Sequence, residues 1–218
     1  MIVLSLFDST GTWAAFAPPG AEVYAVDMAP KPLEWSRSRG VVHIAGRLPD
    51  VAAELPRPDV LLMAPPCQAL SRQRHLAGRQ QGRTGPNAPS MSTDEGLALV
   101  RWCVEYATAT RPRVWCLENP GSSLAWTVTP RVQRVLLGWW GFAAEKPTGL
   151  GGDFAPVAPP FPLPDIDPTA GGRRPSGAVK GKGGVQAMPS YLRSRTPPDF
   201  ARAWWAAQTD RLAIREAA

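Results

Sequence analysis

Apolar residues occur along this chain in short runs that alternate with turn signals and with amphipathic segments. Five runs of five or six mostly apolar residues are predicted strands: residues 2–7, 22–26, 41–45, 59–63 and 113–117. Segments with helical spacing of apolar positions are predicted at residues 32–39, 129–137 and 200–214, with one more after a capping box at 92–95. This alternation predicts an α/β fold, a Rossmann-like doubly wound and mostly parallel sheet with helices on both faces.

The tract at residues 147–198 departs from this pattern because Pro and Gly interrupt it too often for long elements. We therefore expect three parts. Residues 1–146 form the α/β domain, residues 147–198 form a basic Gly/Pro-rich appendage, and residues 199–218 form a C-terminal helix that packs back on the domain.

The excess positive charge of the chain is concentrated in two segments. The chain carries 24 Lys and Arg against 18 Asp and Glu, a net charge of +6, and two acid-free segments hold the excess. Residues 69–93 and 168–198 contain these ten basic side chains: Arg72, Arg74, Arg79, Arg83, Arg173, Arg174, Lys180, Lys182, Arg193 and Arg195. Both segments are predicted loops, and they are either solvated or surfaces that bind a polyanion such as nucleic acid.

The sequence contains no features typical of a membrane-spanning or metal-binding protein. No apolar run approaches the roughly 20 residues that span a bilayer, and the N-terminus lacks a basic leader, so we expect a cytoplasmic protein. Cys67, Cys103 and Cys116 match no zinc spacing, and we expect reduced thiols and no metal. Cys103 and Cys116 lie on apolar faces of predicted elements and are predicted core residues.

The predicted strand ends carry the candidate chemistry. A turn containing Gly11 follows the first strand, and Asp27 ends the second, the order of a nucleotide-binding unit. Cys67 follows two prolines that stop the fourth strand, and Glu118 follows the fifth. Because the carboxyl ends of parallel strands share one edge of a sheet, a thiol and a carboxylate are predicted to face one crevice.

Taken together, these motifs resemble those of the DNA (cytosine-5) methyltransferases, with a closer likeness to short phage-borne members. Phe7 with Gly11 resembles the family's cofactor turn, Pro65-Pro66-Cys67-Gln68 with Ser71 its nucleophile loop, and Glu118-Asn119 its base-protonating motif. The likeness covers roughly residues 1–121.

The resemblance implies S-adenosyl-L-methionine as cofactor and cytosine-containing DNA as partner. It implies catalytic roles for Cys67, Gln68, Glu118 and Asn119. It implies a cofactor site formed by Phe7, Ser9, Thr10, Gly11, Thr12, Asp27, Met28 and Pro65. It implies nucleic-acid contacts by Ser71, Arg72, Arg74, Lys146, Arg193 and Arg195, with Lys146 standing in for a late arginine motif and residues 147–198 for a reduced target-recognition region.

The chemistry explains these residue types on its own terms. Cytosine C5 is a poor nucleophile until a group adds at C6, and a thiolate such as that of Cys67 is suited to that addition. A carboxylic acid such as that of Glu118 can donate a proton to N3 as charge develops on the ring. A base in duplex DNA must first leave the stack.

Two other functions stay open at this point. The same chemistry on RNA or on a free cytosine nucleotide is favoured by the absence of a large target-recognition region. A non-catalytic nucleic-acid-binding protein is favoured by Ser9, which stands where the family usually has glycine, and by Arg47, which lies near the usual position of an acid that contacts adenine.

Overall fold

The structure is a computed structural model that describes residues 1–70, 91–140, 146–160 and 196–213. Seven strands in these ranges form one sheet: β1 (Ile2–Leu6), β2 (Glu22–Asp27), β3 (Val42–Ala45), β4 (Val60–Met63), β5 (Val114–Pro120), β6 (Gln133–Leu136) and β7 (Pro147–Asp153). Their order is β3-β2-β1-β4-β5-β7-β6, and β7 alone of these seven runs in the opposite direction to the other six. The predicted Rossmann-like, mostly parallel sheet is confirmed, and the part β3-β2-β1-β4-β5 follows the usual strand order of that fold.

Three α-helices lie in the described ranges: α1 (Glu34–Ser38), α2 (Thr93–Thr110) and α3 (Pro198–Ala213). Helix α2 begins as predicted, since the Glu95 amide donates to Ser92 Oγ at 3.2 Å and the Ser92 amide donates to Glu95 Oε2 at 2.6 Å. Short 3-10 helices at Ala14–Phe16, Ala52–Glu54, Leu124–Thr127 and Leu137–Trp140 complete the regular structure.

The core lies on both faces of the sheet because side chains alternate along each strand. On one face, Leu61 and Leu117 pack with Cys103 of α2. On the other face, Leu62 and Cys116 pack with Trp204 of α3. Cys103 and Cys116 are fully buried, which confirms their predicted place in the core.

The helix predicted at residues 129–137 is wrong. Residues Gln133–Leu136 form the edge strand β6, and a 3-10 helix follows from Leu137. Val132, Val135 and Leu136 have the spacing of a helical stripe, but β6 pairs with β7 and buries only Val135. A tertiary partner has overridden the local pattern, which contained too few residues to separate the two periods.

The expectation that residues 147–198 lack long elements is also wrong at its start, and the predicted boundary after residue 146 does not fall at an end of the sheet. Residues Pro147–Asp153 form β7, between β5 and β6. Its glycines let indole rings approach the backbone: a β-carbon on Gly149 would lie 2.4 Å from Trp126 Cζ2, and one on Gly152 would lie 3.0 Å from Trp115 Cε3.

Strand β5 is longer than predicted. It continues through Glu118 and Asn119 to Pro120 because these residues pair with Leu150, Gly149 and Thr148 of β7. The predicted catalytic carboxylate therefore belongs to a part of β5 that pairs with β7, whereas the pairing of β5 with β4 ends at Leu117. In the part of the chain that the structure describes, no helix combines the length and apolarity needed to cross a bilayer.

Candidate active site

One edge of the sheet gathers the predicted site segments. In the parallel register, Leu6 pairs with Val26 on one side and with Met63 on the other, and Met63 pairs with Leu117. β1 and β4 end at these positions, β2 ends one residue later at Asp27, and β5 continues to Pro120, so the predicted site segments lie at the carboxyl edge of the sheet. This is where ligands bind in doubly wound sheets.

The turn after β1 is built around Asp8. Its Oδ1 accepts a hydrogen bond from the Gly11 amide at 2.8 Å, and its Oδ2 accepts one from Ser5 Oγ at 2.8 Å. Phe7 and Gly11 have positive φ values of 60° and 68°. Gly11 also has no room for a side chain, since a β-carbon there would lie 2.7 Å from His43 Cε1. The carboxylate thus fixes a tight turn that only glycine fits.

The hydroxyl side chains of this turn are occupied by internal bonds. Thr10 and Thr12 are buried, and their Oγ1 atoms lie 2.9 Å apart. Ser9 Oγ donates to the Ala29 carbonyl oxygen at 3.1 Å and accepts from the Lys31 amide at 3.1 Å. Ser9 is not among the residues with positive φ, so its backbone does not require the glycine usual in the family. Its side chain instead ties the turn to the loop after β2.

Asp27 lies at the carboxyl end of β2, as predicted. Its Oδ1 accepts a hydrogen bond from the Ala29 amide at 2.8 Å, which orients the carboxylate. A carboxylate has acceptor capacity for further donors. The next side chain, Met28, is 74% exposed, the most exposed large apolar side chain of the described residues.

The turn after β4 carries the predicted nucleophile. Pro65 is buried, Cys67 is half-buried, and Gln68 is exposed. The Leu70 amide donates to the Cys67 carbonyl oxygen at 3.0 Å, which closes the turn. Cys67 is a thiol and not a disulfide. It is the least buried of the three cysteines.

Glu118 contacts Lys146 at the same edge. The Glu118 Oε1 and Lys146 Nζ atoms lie 3.5 Å apart, and the two side chains are only 17% and 16% exposed. Lys146 directly precedes β7, whose pairing with β5 brings it to this carboxylate. Lys146 was predicted as a nucleic-acid contact, and in the structure it lies against the predicted catalytic acid.

Asn119 connects the two predicted catalytic segments. Its Nδ2 donates a hydrogen bond of 2.9 Å to the Pro65 carbonyl oxygen, and the side chain is fully buried. A second bond nearby runs from the Leu124 amide to the Leu70 carbonyl oxygen at 2.9 Å. The turn that contains Cys67 is therefore attached at both of its ends to the chain that follows Glu118.

Burial perturbs three groups near this edge. Burial raises the pKa of the Asp8 carboxyl, although the bonds from Ser5 and Gly11 and the nearby His43 oppose this shift. Burial lowers the pKa of His43, which Asp8 opposes and Arg37 reinforces. Burial raises the pKa of Cys116 far above its usual range, with a further contribution from Glu118. Cys116 is consequently an unreactive thiol at neutral pH.

Several predicted nucleic-acid contacts lie outside the described residues: Ser71, Arg72, Arg74, Arg193 and Arg195. Arg47 lies within the described residues: its side chain is exposed, and its backbone carbonyl oxygen accepts a hydrogen bond from the Val51 amide. In the described ranges, no group of three or more His, Cys, Asp or Glu side chains has the arrangement that a metal ion requires.

Sequence reasoning missed four residues at or beside the site: Asp8, His43, Arg131 and Arg134. A carboxylate two residues after the first strand is a signal for Asp8, because Asp readily accepts from backbone amides of its own turn. His43 had no signal, since β2 separates its strand from β1 and only the sheet order brings it to Gly11. Arg131 and Arg134 were assigned to the helix that does not form.

Comparisons with known proteins add little to this geometry. No protein-family model and no curated protein matches the chain. Among solved structures, it is similar to an E. coli chain described as a "putative DNA modification methyltransferase encoded within prophage Cp", with 13% sequence identity and a TM-score of 0.44. The match covers 70% of this chain and 46% of that chain, less than half of its length. At this level of similarity, the fold assignment depends on the strand order of the present chain.

Proposed function

We propose that this protein transfers a methyl group from S-adenosyl-L-methionine to C5 of cytosine in DNA, through a covalent bond between Cys67 Sγ and cytosine C6. The observation that carries the proposal is the Asn119–Pro65 hydrogen bond of 2.9 Å. This bond attaches the turn that contains Cys67 to the end of β5 that contains Glu118. The proposed reaction needs a thiol and a carboxylic acid that act on the same cytosine ring.

The residues present fit the proposed cofactor. The Asp27 carboxylate, oriented by the Ala29 amide, has the acceptors that a ribose diol needs. Met28 presents an exposed apolar side chain beside it, suited to the face of a purine. Asp27, Met28 and the backbone of the turn from Phe7 to Gly11 would hold the cofactor. When bound, S-adenosyl-L-methionine supplies an electrophilic methyl group.

Cys67 and Glu118 then have complementary roles. The Cys67 thiolate adds to C6, and Glu118 in its acid form donates a proton to N3, so the ring gains no net charge and C5 becomes nucleophilic. After methyl transfer to C5, a base removes the C5 proton, the electron pair of that C–H bond forms the C5–C6 double bond as the C6–S bond breaks, and the N3 proton returns to the Glu118 carboxylate. The thiolate is regenerated and the ring regains its aromaticity.

Two neighbouring side chains position this pair in the proposal. Lys146 orients Glu118 through the 3.5 Å contact between Lys146 Nζ and Glu118 Oε1. Asn119 holds the turn of Cys67 through Pro65, and it is a positioning residue in this scheme because its side chain is buried. Such positioning matters because displacement of a reacting group by about 1 Å can lower a rate about 100-fold.

Methyl transfer from labelled cofactor to duplex DNA tests the proposal. Cys67→Ala should abolish transfer, whereas Cys103→Ala should keep it, because Cys103 is a fully buried core residue of α2. Transfer by a folded Cys67→Ala protein would contradict the mechanism. Parallel assays with RNA and with a free cytosine nucleotide separate the two other substrate classes.

A trapping experiment tests the covalent step itself. With an oligonucleotide that contains 5-fluorocytosine, C5 carries fluorine in place of the proton that must leave, so the adduct should persist. Mass spectrometry should find the oligonucleotide mass on the peptide that contains Cys67. An adduct on Cys103 or Cys116, or no adduct with an active preparation, would contradict the assignment.

A further inference from the structure

A pair of arginines lies at the end of β5 that carries the proposed acid, on the face of the sheet to which Asn119 points and not on that of Glu118. Arg131 and Arg134 are both exposed. Arg131 Nη1 donates a hydrogen bond of 2.8 Å to the Gly121 carbonyl oxygen. Arg134 Nε lies 3.6 Å from the position that a β-carbon on Gly121 would occupy. Both guanidinium groups therefore lie close to Gly121, three residues after Glu118.

The sheet fixes this arrangement. Arg134 of β6 pairs with Gly149 of β7, and Gly149 pairs with Asn119 of β5. Residues directly opposite one another in an antiparallel ladder point to the same face. Arg134 thus shares the face of Asn119, two strands away. The aliphatic part of Arg131 approaches the same glycine, since its Cδ would lie 2.8 Å from a β-carbon on Gly149.

The sequence around the two arginines contains few acids. Between Glu118 and Glu145 the sequence contains no Asp or Glu. Glu118 itself contacts Lys146 and is largely buried. A guanidinium that donates one N–H group to a backbone carbonyl has further N–H donors in its planar fork. Arg131 therefore has a fixed orientation and still presents donors to solvent.

We propose that Arg131 and Arg134 bind phosphate groups of the DNA strand whose cytosine enters the proposed active site. The inference rests on the proposed function and adds a binding surface to it. Arginine is suited to this task because its fork matches the geometry of a phosphate. The surface faces phosphates and not base edges, so it contributes affinity and orientation without sequence preference.

Binding of a duplex oligonucleotide, measured by fluorescence anisotropy at several salt concentrations, tests the proposal. Each phosphate contact contributes about 0.9 to the slope of log K against log salt. We expect Arg131→Gln and Arg134→Gln each to reduce the slope by about that amount. The ratio of wild-type to variant affinity should then fall about 3.5-fold per arginine between about 50 and about 200 mM salt.

Arg57→Gln is the matched control. Arg57 is exposed, and its Nε donates a 2.9 Å hydrogen bond to the Thr110 carbonyl oxygen, but it precedes β4 and so lies at the opposite edge of the sheet. It should leave the slope unchanged. Arg131→Lys, which keeps the charge and loses the planar fork, should keep most of the slope. If Arg131 only stabilised the fold through its bond to Gly121, the slope would not depend on whether the substituted residue is charged.

Slopes that are the same in Arg131→Gln, Arg134→Gln, Arg57→Gln and the wild type would overturn the proposal, as would a wild-type protein that does not bind DNA. If Arg131→Gln does not fold, Arg134→Gln decides the matter alone. Methyl transfer tests the proposed function separately. If the arginine variants change the slope but Cys67→Ala still transfers methyl groups, the proposed mechanism is contradicted and the proposed phosphate-binding surface is supported.

Discussion

The hydrogen bond between Asn119 and Pro65 is the contact on which the proposed site depends most, and Asn119→Leu removes it. Leucine is close in size to asparagine and has no donor for the Pro65 carbonyl oxygen, so the change affects polarity more than volume. The bond joins residues 54 positions apart in the chain, and it is buried. Its loss should release the turn that contains Cys67 from the end of β5.

The stability cost follows from the atoms that lose a partner. A buried carbonyl without a donor costs about 1–3 kcal/mol. The substitution also removes Asn119 Oδ1, a buried acceptor without a hydrogen-bond partner among the described residues, and this gain offsets part of the cost. A net loss of about 1 kcal/mol is small beside the 5–15 kcal/mol of a typical domain, so the variant should remain folded. Activity should suffer more, because about 1 Å of displacement costs about 100-fold in rate.

Gln208→Met is the matched control for this experiment. Gln208 is also a fully buried amide, and it accepts from the Ala155 amide at 2.7 Å and donates to the Ala155 carbonyl oxygen at 2.9 Å. It lies on α3, away from the turn of Cys67. It should lose at least as much stability as Asn119→Leu, because three backbone groups lose a partner, the third being the Trp204 carbonyl oxygen, and it should keep its kcat.

The assay combines urea unfolding with single-turnover methyl transfer under conditions where both variants are folded. Asn119→Leu should have a much lower rate constant of transfer than Gln208→Met at comparable stability. An unchanged rate in Asn119→Leu would refute the argument that this bond positions the thiol. An equal decrease in both variants would show that activity follows general stability instead.

Three further predictions concern the turn and the sheet. Burial lowers the pKa of His43 in the folded state from its usual 6.5, so the unfolded chain binds a proton more readily. The free energy of unfolding should therefore be highest above about pH 6.5 and decrease as the pH falls. In urea unfolding between about pH 7 and about pH 5, His43→Gln should show a smaller decrease than the wild type. Gly149→Ala should lower the melting temperature markedly, since the added β-carbon would overlap Trp126, whereas Gly121→Ala should have a small effect because its nearest contact is 3.5 Å. Ser9→Gly should weaken cofactor binding by calorimetry, because it loses both bonds to the loop after β2. Stronger binding in this variant would argue against that role.

Much of the fold was determined by local sequence alone. Strands β1 to β4 begin and end within one residue of their predicted bounds, because each is a short apolar run between turn residues. The capping box fixed the start of α2 through two bonds made within four residues. The place of Cys67 after β4 follows from the same local signals, whereas Glu118, predicted to follow the fifth strand, lies within β5.

Other features required the tertiary structure because their cause lies far away in the chain. Strand β6 forms because β7 offers it a partner, and β7 tolerates its glycines because the rings of Trp126 and Trp115 pack on its backbone. No window around Pro147 or Gln133 contains either cause. Local periodicity therefore favoured a helix in one case and a loop in the other.

The candidate site divides in the same way. The sequence by itself determined which chemical groups are available, a thiol after β4 and a carboxylate in β5, since these depend on residue type and on nearby strand signals. Only the tertiary structure decided what holds them: the bond from Asn119 to Pro65, the contact of Glu118 with Lys146, and the approach of Arg134 to Gly121. These contacts join residues that are 13 to 54 positions apart, and only the packing of the sheet brings such residues within the few ångströms over which hydrogen bonds and ion pairs act.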